Sequence, residues 1–328
     1  AGNGFLQGFY FVPPCAPRRS FYLLLCPPEV IAPMSNSLAE VRNVSDTALW
    51  AAHFRAEESR RPDALFHDPY AEKLGARRGG EMARTLPQGL SHAWAWVART
   101  YLFDEILQKE IAEGADLVVN CAAGLDARPY RMQLPATLQW IEADLPDMLA
   151  YKTELLAGDK PTCLLERVAV NLADVNERRR FLGEMATRGK RGVVLTEGLL
   201  IYLSKEEVAQ FAEDLSGVAS LQRWILDMHS PRLLAMMQRR TGKALEKVGA
   251  PFKFGPAEGP DFFRSHGWTP VQVEGFLHTA ARFRRPPLLL RFVAKISDVR
   301  SWKANRPWAG ACLLQKSSTV QDARGKTS

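Results

Sequence analysis

The chain predicts an α/β fold built on a mostly parallel sheet with helices on both faces. Three observations predict it. From residue 116 onward, strand-like apolar runs at 116–121, 138–143, 163–170, 192–197 and 222–228 alternate with helical patterns at 128–133, 146–157, 174–187 and 204–218. That alternation implies parallel strands joined by crossover helices. The first run opens into Ala122, Ala123 and Gly124, and Asp144 follows Gly124 by twenty positions. This is how a nucleotide-binding strand–turn–helix reads. Finally, 46% of residues are apolar and 24% charged, an ordinary globular balance. No run approaches the roughly 20 apolar residues that span a bilayer.

The elements follow in order. Residues 1–33 are expected to be a loosely structured extension. Arg18-Arg19 before the apolar run Phe21 to Cys26 faintly resembles a secretory leader, but the run is short and Pro27-Pro28 end it. Met34 is followed by Ser35-Asn36-Ser37 and a helical pattern, so the domain is expected over 34–300. Its first part, 34–112, reads as a helical cap. Leu38, Val41, Val44, Ala48, Leu49, Ala52 and Phe54 have a mostly helical spacing over 38–60. Pro69 suits the first turn of a short helix through Leu74, and Arg77-Arg78-Gly79-Gly80 predicts a loop. A second helix is expected from Ser91 to Ile111, with Trp94, Val97, Tyr101, Ile106 and Leu107 on its apolar face.

In the core, 113–300, the best-marked helix is 204–218. Ser204 and Glu207 form a capping box ahead of Val208, Phe211, Ala212 and Leu215. Residues 231–259 read as an insertion placed to act as a lid. Val271 to Phe276 alternates, and Leu288 to Ile296 reads as a second strand-like run. The linker between them is too short for a full helical crossover, which predicts an antiparallel pair appended to the sheet. The polar stretch 301–328 reads as a flexible tail.

The net charge of +7 is concentrated at the ends. Residues 297–328 carry six basic and two acidic side chains, leaving only +2 on 34–296. A basic tail is a weaker nucleic-acid signal than a basic face, so neither nucleic acid nor membrane is expected as a partner. Cys15, Cys26, Cys121, Cys163 and Cys312 are scattered and never in Cys-x-x-Cys spacing. That argues against disulfides and thiolate zinc, and fits a reducing, cytoplasmic setting with no metal site.

Ligands of open α/β sheets sit beyond the carboxyl ends of the strands. The residues to inspect are therefore Ala122 to Gly124, Asp144 with Leu145, Asn171 with Leu172, and Glu197. A dinucleotide site wants Gly-x-Gly-x-x-Gly beside a pyrophosphate, but here those positions are Ala122, Gly124 and Ala127. A looser turn suits a cofactor without phosphates. A carboxylate at the second strand end can accept both hydroxyls of a ribose; it can also simply cap the following helix.

The segment Asn120-Cys-Ala-Ala-Gly-Leu-Asp-Ala-Arg-Pro-Tyr-Arg131 resembles the first motif of the leucine carboxyl methyltransferase-like family, within the class I S-adenosylmethionine-dependent group. Four further segments agree in order: Phe66 to Ala71, Arg99 to Asp104, Ile141 to Pro146 with Lys152, and Thr196 to Leu203. The resemblance spans about 38–296. It implies a Rossmann-like, seven-stranded, mostly parallel sheet with an antiparallel C-terminal strand, and S-adenosyl-L-methionine as cosubstrate. It implies ribose binding by Asp144, pairing of Arg99 with the methionine carboxylate, and close backbone approach at Ala122 to Gly124. It further implies adenine contacts from Asn171 and Leu172, and Glu197 beside the methionine end. Two positions depart from the family: Ala122 stands where glycine is common and crowds the turn, and Asn171 replaces aspartate, making a neutral, weaker bond.

The expected activity is O-methylation of a carboxylate or hydroxyl on a small-molecule or protein-carboxylate acceptor. A carboxylate needs no base, so no catalytic base is assigned. His92, His229 and Tyr202 read as packing or positioning residues, and Cys121 as a small buried residue rather than a nucleophile. Trp94, Trp96, Phe252 and Phe254 read either as acceptor-pocket lining or as core. The alternatives are a non-catalytic S-adenosylmethionine-binding protein and a nucleotide-dependent oxidoreductase. Oligomeric state has no sequence signal.

Overall fold

A computed structural model describes residues 46–85, 92–246, 251–296, 303 and 306–317. The expected extension, 1–33, and the start of the first helical pattern lie outside the described residues. Seven strands form one sheet in the order β3-β2-β1-β4-β5-β7-β6. They are β1 Leu117–Cys121, β2 Gln139–Asp144, β3 Leu164–Ala169, β4 Gly192–Thr196, β5 Leu221–His229, β6 Trp268–Gly275 and β7 Ala309–Lys316. β1 to β5 pair in parallel, and β7 runs antiparallel between β5 and β6.

Helices cover both faces. They are α1 Asp46–Ser59, α2 Arg77–Thr85, α3 Ala93–Ala112, α4 Arg128–Arg131, α5 Pro146–Leu155, α6 Val175–Met185, α7 Lys205–Ser216, α8 Pro231–Glu246, α9 Phe276–Arg282 and α10 Leu288–Ile296. β1 is buried along its whole length, as a central parallel strand must be. Its side chains alternate between two cores. Leu117, Val119 and Cys121 pack with Phe181, Met185, Phe211 and Leu215 of α6 and α7. Val118 faces the other way, onto Phe103, Ile106 and Leu107 of α3 and Phe276 of α9. The capping box of α7 is present: Glu207 N donates to Ser204 Oγ at 3.1 Å and Ser204 N to Glu207 Oε2 at 2.6 Å.

The stretch expected as a cap divides in two. α3 lies on the sheet, against α9, β5 and β7. α1 and α2 form a separate layer, in which Leu49, Ala52, Leu74 and Met82 pack on Leu125, Ala127 and Tyr130 of the turn after β1. The short helix after Pro69 is a π-turn, Glu72–Ala76, and it continues into α2 where a loop was expected at Arg77 to Gly80. Gly79 serves close helix packing instead of a turn: a Cβ there would lie 2.0 Å from the Leu49 carbonyl oxygen of α1.

The largest correction concerns the last strand. Leu288 to Ile296 is helix α10, and the strand that pairs with β6 is β7, inside the stretch expected as a flexible tail. A short apolar run fits helix and strand equally by periodicity. The Pro287 carbonyl accepts the Arg291 N–H at 3.1 Å, the bond that opens α10. β7 is less apolar in composition, yet Gly310 to Leu314 are buried because neighbours flank it on both sides. The antiparallel pairing itself is present, from Trp268↔Lys316 to Gly275↔Gly310.

Candidate functional site

The carboxyl ends of β1 to β5 open into one cavity of about 980 Å³. Arg99, Ala122, Ala123, Gly124, Asp144, Leu145, Asn171, Leu172 and Glu197 all line it. So do His92, Tyr202, His229, Trp94, Trp96 and Phe252, whereas Phe254 is buried in the core against Phe262 and Phe263. In the 231–259 insertion, Leu233 and Met236 of α8 join the lining, and Lys253 N docks on the Ile201 carbonyl at 2.6 Å.

The turn after β1 is built from two left-handed residues, Ala122 with φ 57° and Gly124 with φ 47°. The Ala122 N–H donates to the Ala143 carbonyl at 2.8 Å, which ties the turn to β2. Asp144 completes it. One carboxylate oxygen accepts Gly124 N at 2.6 Å, the other Leu145 N at 2.7 Å. Burial raises the Asp144 pKa above the usual carboxylate range, against the lowering effect of those two N–H groups. Leu145 is left 44% exposed beside it, an apolar face at the cavity edge. Asn171 begins a local turn, its Oδ1 accepting Ala173 N at 3.1 Å.

Glu197, after β4, is gripped from two sides. Arg99 Nε donates to Oε1 at 3.0 Å, and Arg128 Nη1 lies 2.9 Å from Oε2. Burial opposes ionisation of Glu197, but Arg128 and Arg99 outweigh it and hold its pKa below the usual range. Arg99 stacks on Trp96, with its Cζ 4.6 Å from the ring centroid. Gly198, with φ 72°, leaves room for it, since a Cβ there would come within 3.0 Å of Arg99 Nη1. Gly198 N in turn donates to Asp227 Oδ1 at 2.7 Å.

Sequence reasoning assigned no role to the network behind these residues. Arg128 binds Asp104 at 2.6 Å and Asp126 at 2.8 Å. Arg131 also reaches Asp104, at 2.7 Å. Arg55 of α1 joins Asp68 at 2.7 Å and the Leu125 carbonyl at 2.6 Å, fastening the outer helices to the turn. Asp227 carried a usable signal: it is the one charge in the apolar run Trp224 to Met228. Cys121 is fully buried, and burial with the nearby Asp144 pushes its thiol up to about 12.

The residues fit a nucleoside cofactor without phosphates. α4 has only four residues, and its first N–H, that of Arg128, is already taken by Asp126 Oδ1 at 2.9 Å. A pyrophosphate would meet that carboxylate instead of free donors. The strand order, the tight turn after β1 and the acid after β2 define an S-adenosylmethionine-dependent methyltransferase of class I fold.

The sequence model described as leucine carboxyl methyltransferase matches residues 48–216. A Frankia alni protein, provisionally named an S-adenosyl-L-methionine-dependent methyltransferase, is 32% identical over 272 residues, 77% of this chain and 92% of its own. A Mycobacterium bovis protein of the same provisional name is 38% identical over 287 residues, 83% and 85% of the two chains. A crystal structure from Thermobifida fusca, provisionally described as a methyltransferase, superposes with a TM-score of 0.54 at 13% identity, covering 88% of this chain and 100% of that one. At that identity the superposition speaks for the fold alone. The chain belongs to the leucine carboxyl methyltransferase family, and S-adenosyl-L-methionine is its cosubstrate. Among the described residues, no helix is long and apolar enough to cross a membrane.

Proposed function

We propose that the chain methylates an oxygen, a carboxylate or a hydroxyl, of a small-molecule or protein-bound acceptor. The supporting observation is the cavity beyond the strand ends, in which His229 and Tyr202 line the same space as the cosubstrate-side residues Arg99, Asp144 and Glu197.

S-adenosylmethionine supplies a methyl group already activated by its sulfonium leaving group. The chain's task is then placement, for which orientation alone supplies up to roughly 7–11 kcal/mol. Asp144 takes the ribose hydroxyls, held in position by the Gly124 and Leu145 N–H groups. Ala122 to Gly124 bring the backbone close to the cofactor. Leu145 offers its apolar face to the adenine, with Leu172 and the remaining lone pair of Asn171 Oδ1 beside it. Arg99 meets the methionine carboxylate: Nε is bound to Glu197, and Nη2 makes no hydrogen bond among the described residues. Glu197, ionised between two arginines, faces the methionine end.

His229, at the end of β5, supports the hydroxyl form of the reading. Its ring makes no hydrogen bond among the described residues, and burial lowers its pKa, with Arg99 acting in the same direction and Asp227 against it. It is therefore neutral at pH 7 and able to accept a proton.

The test is incubation with methyl-labelled S-adenosylmethionine and a metabolite extract. Alkali-labile label marks a methyl ester, and stable label on oxygen an ether. Label only on nitrogen or sulfur defeats the reading, and no transfer at all favours a binding protein.

A further inference from the structure

We propose that the methyl acceptor is an extended hydrocarbon chain bearing a terminal oxygen, whose tail runs along α8 and α10 and leaves the cavity over α10. This deepens the O-methylation reading and rests on it for the head group only.

The cavity stands at the upper end of the roughly 300–1,000 Å³ found for small-molecule sites. The strand-end turns make up only part of its lining. Another part is Leu233 and Met236 of α8 with Leu290, Val293 and Ile296 of α10. The three α10 residues are spaced by three, so they share one side of the helix. Methionine suits a wall that must adapt to a chain of variable shape.

That apolar wall does not stop at the cavity. On the same arc of α10, Leu289 is 73% and Phe292 61% exposed. With Leu288, Val293 and Ile296, five large apolar side chains of a nine-residue helix face outward. Clustered apolar exposure of this kind marks a binding surface. The one arginine of α10 is turned back onto the preceding loop, Arg291 Nε donating to the Pro286 carbonyl at 2.7 Å and Nη2 to that of Arg284 at 2.8 Å. Its charge therefore does not interrupt the arc. Val293 and Ile296 belong both to the cavity lining and to the exposed arc, so the outer patch is continuous with the cavity that holds the strand-end turns, and the helix's other charge, Lys295, does not line that cavity.

The test is calorimetry on the full chain, loaded with S-adenosylhomocysteine. The ligand series is butanoate, octanoate and dodecanoate, with the matching 1-alkanols. Affinity should rise up to about fourfold per methylene, the yield of full apolar burial. Val293→Asp should flatten the series while S-adenosylhomocysteine affinity is kept. Phe292→Lys, at an exposed position that leaves the fold alone, should lower the chain length at which affinity stops rising. Equal affinity along the series overturns the proposal, whether α10 then proves to be covered by a second copy in sedimentation or by anionic vesicles in flotation. A slope that survives Val293→Asp and Phe292→Lys also overturns it. Length-dependent binding with label passing only to nitrogen or sulfur acceptors would remove the oxygen assignment and leave the tail site standing.

Discussion

Arg128 and Glu197 meet at 2.9 Å, joining the turn after β1 to the turn after β4. Arg128 is also bound to Asp104 of α3 and to Asp126, so one buried guanidinium ties three carboxylates into a single frame beneath the cavity. The frame fixes the two turns relative to each other before any ligand arrives.

Arg128→Met should therefore cost about 3–5 kcal/mol of stability, because it leaves carboxylates buried without their cation. Chemical denaturation measures this. A loss below about 1 kcal/mol would show that the network is solvated and the frame is not structural.

Asp144→Ala should reduce S-adenosylmethionine affinity by roughly 10- to 100-fold, the worth of hydrogen bonds to one charged acceptor. The wild-type chain carries a pH signature of the same group. Burial raises the Asp144 pKa above its ordinary value, so its ionised form is lost, as pH falls, earlier than for an ordinary aspartate. Affinity should decline as pH falls, beginning above the pH at which an ordinary aspartate protonates (about 3.9), and Asp144→Asn should remove that decline. An unchanged pH profile in the variant would refute the ribose role.

Ala122 adopts φ 57°, where an L-residue is disfavoured by roughly 1–2 kcal/mol. Glycine relieves that strain but adds unfolded-state freedom worth about 0.4–1 kcal/mol. Ala122→Gly should thus stabilise the chain by up to about 1.6 kcal/mol, whereas Ala122→Val should destabilise it. Thermal unfolding of the pair checks this, and a lower Tm for the glycine variant would contradict it.

His229→Gln separates the two kinds of acceptor. With a carboxylate acceptor, initial rates should change by no more than a few-fold, since no proton is moved. With a hydroxyl acceptor they should fall by roughly 10²–10⁴, the usual contribution of a general base. A few-fold change on a hydroxyl acceptor would remove His229 from proton transfer.

β1 and β4 were legible because buried parallel strands read as continuous apolar runs, and the topology rule then directs attention to the strand ends. β7 was not. Leu288 to Ile296 is the more apolar run, and what makes Ala309 to Lys316 a strand is its two partners, β5 and β6, which no local pattern shows. The site shows the same limit. Ala122, Asp144 and Glu197 stand at strand ends and could be read one strand at a time. The roles of Arg128 and Asp104 depend on a contact across 24 positions, and that of Arg55 on one across 70. Charges that meet only in the fold leave no spacing in the sequence.

The position of β7 also bears on how the chain is made. Among the described strands it comes last in the chain, yet it belongs inside the sheet, between β5 and β6. Until residues 309–316 emerge, a nascent chain holds β5 and β6 with open hydrogen-bonding edges and bare apolar faces, which are templates for aggregation. Biogenesis therefore passes through an obligatory vulnerable interval between the emergence of β6 and that of β7. A stop codon only a few residues upstream of β7 would create a chaperone client rather than a slightly shortened enzyme.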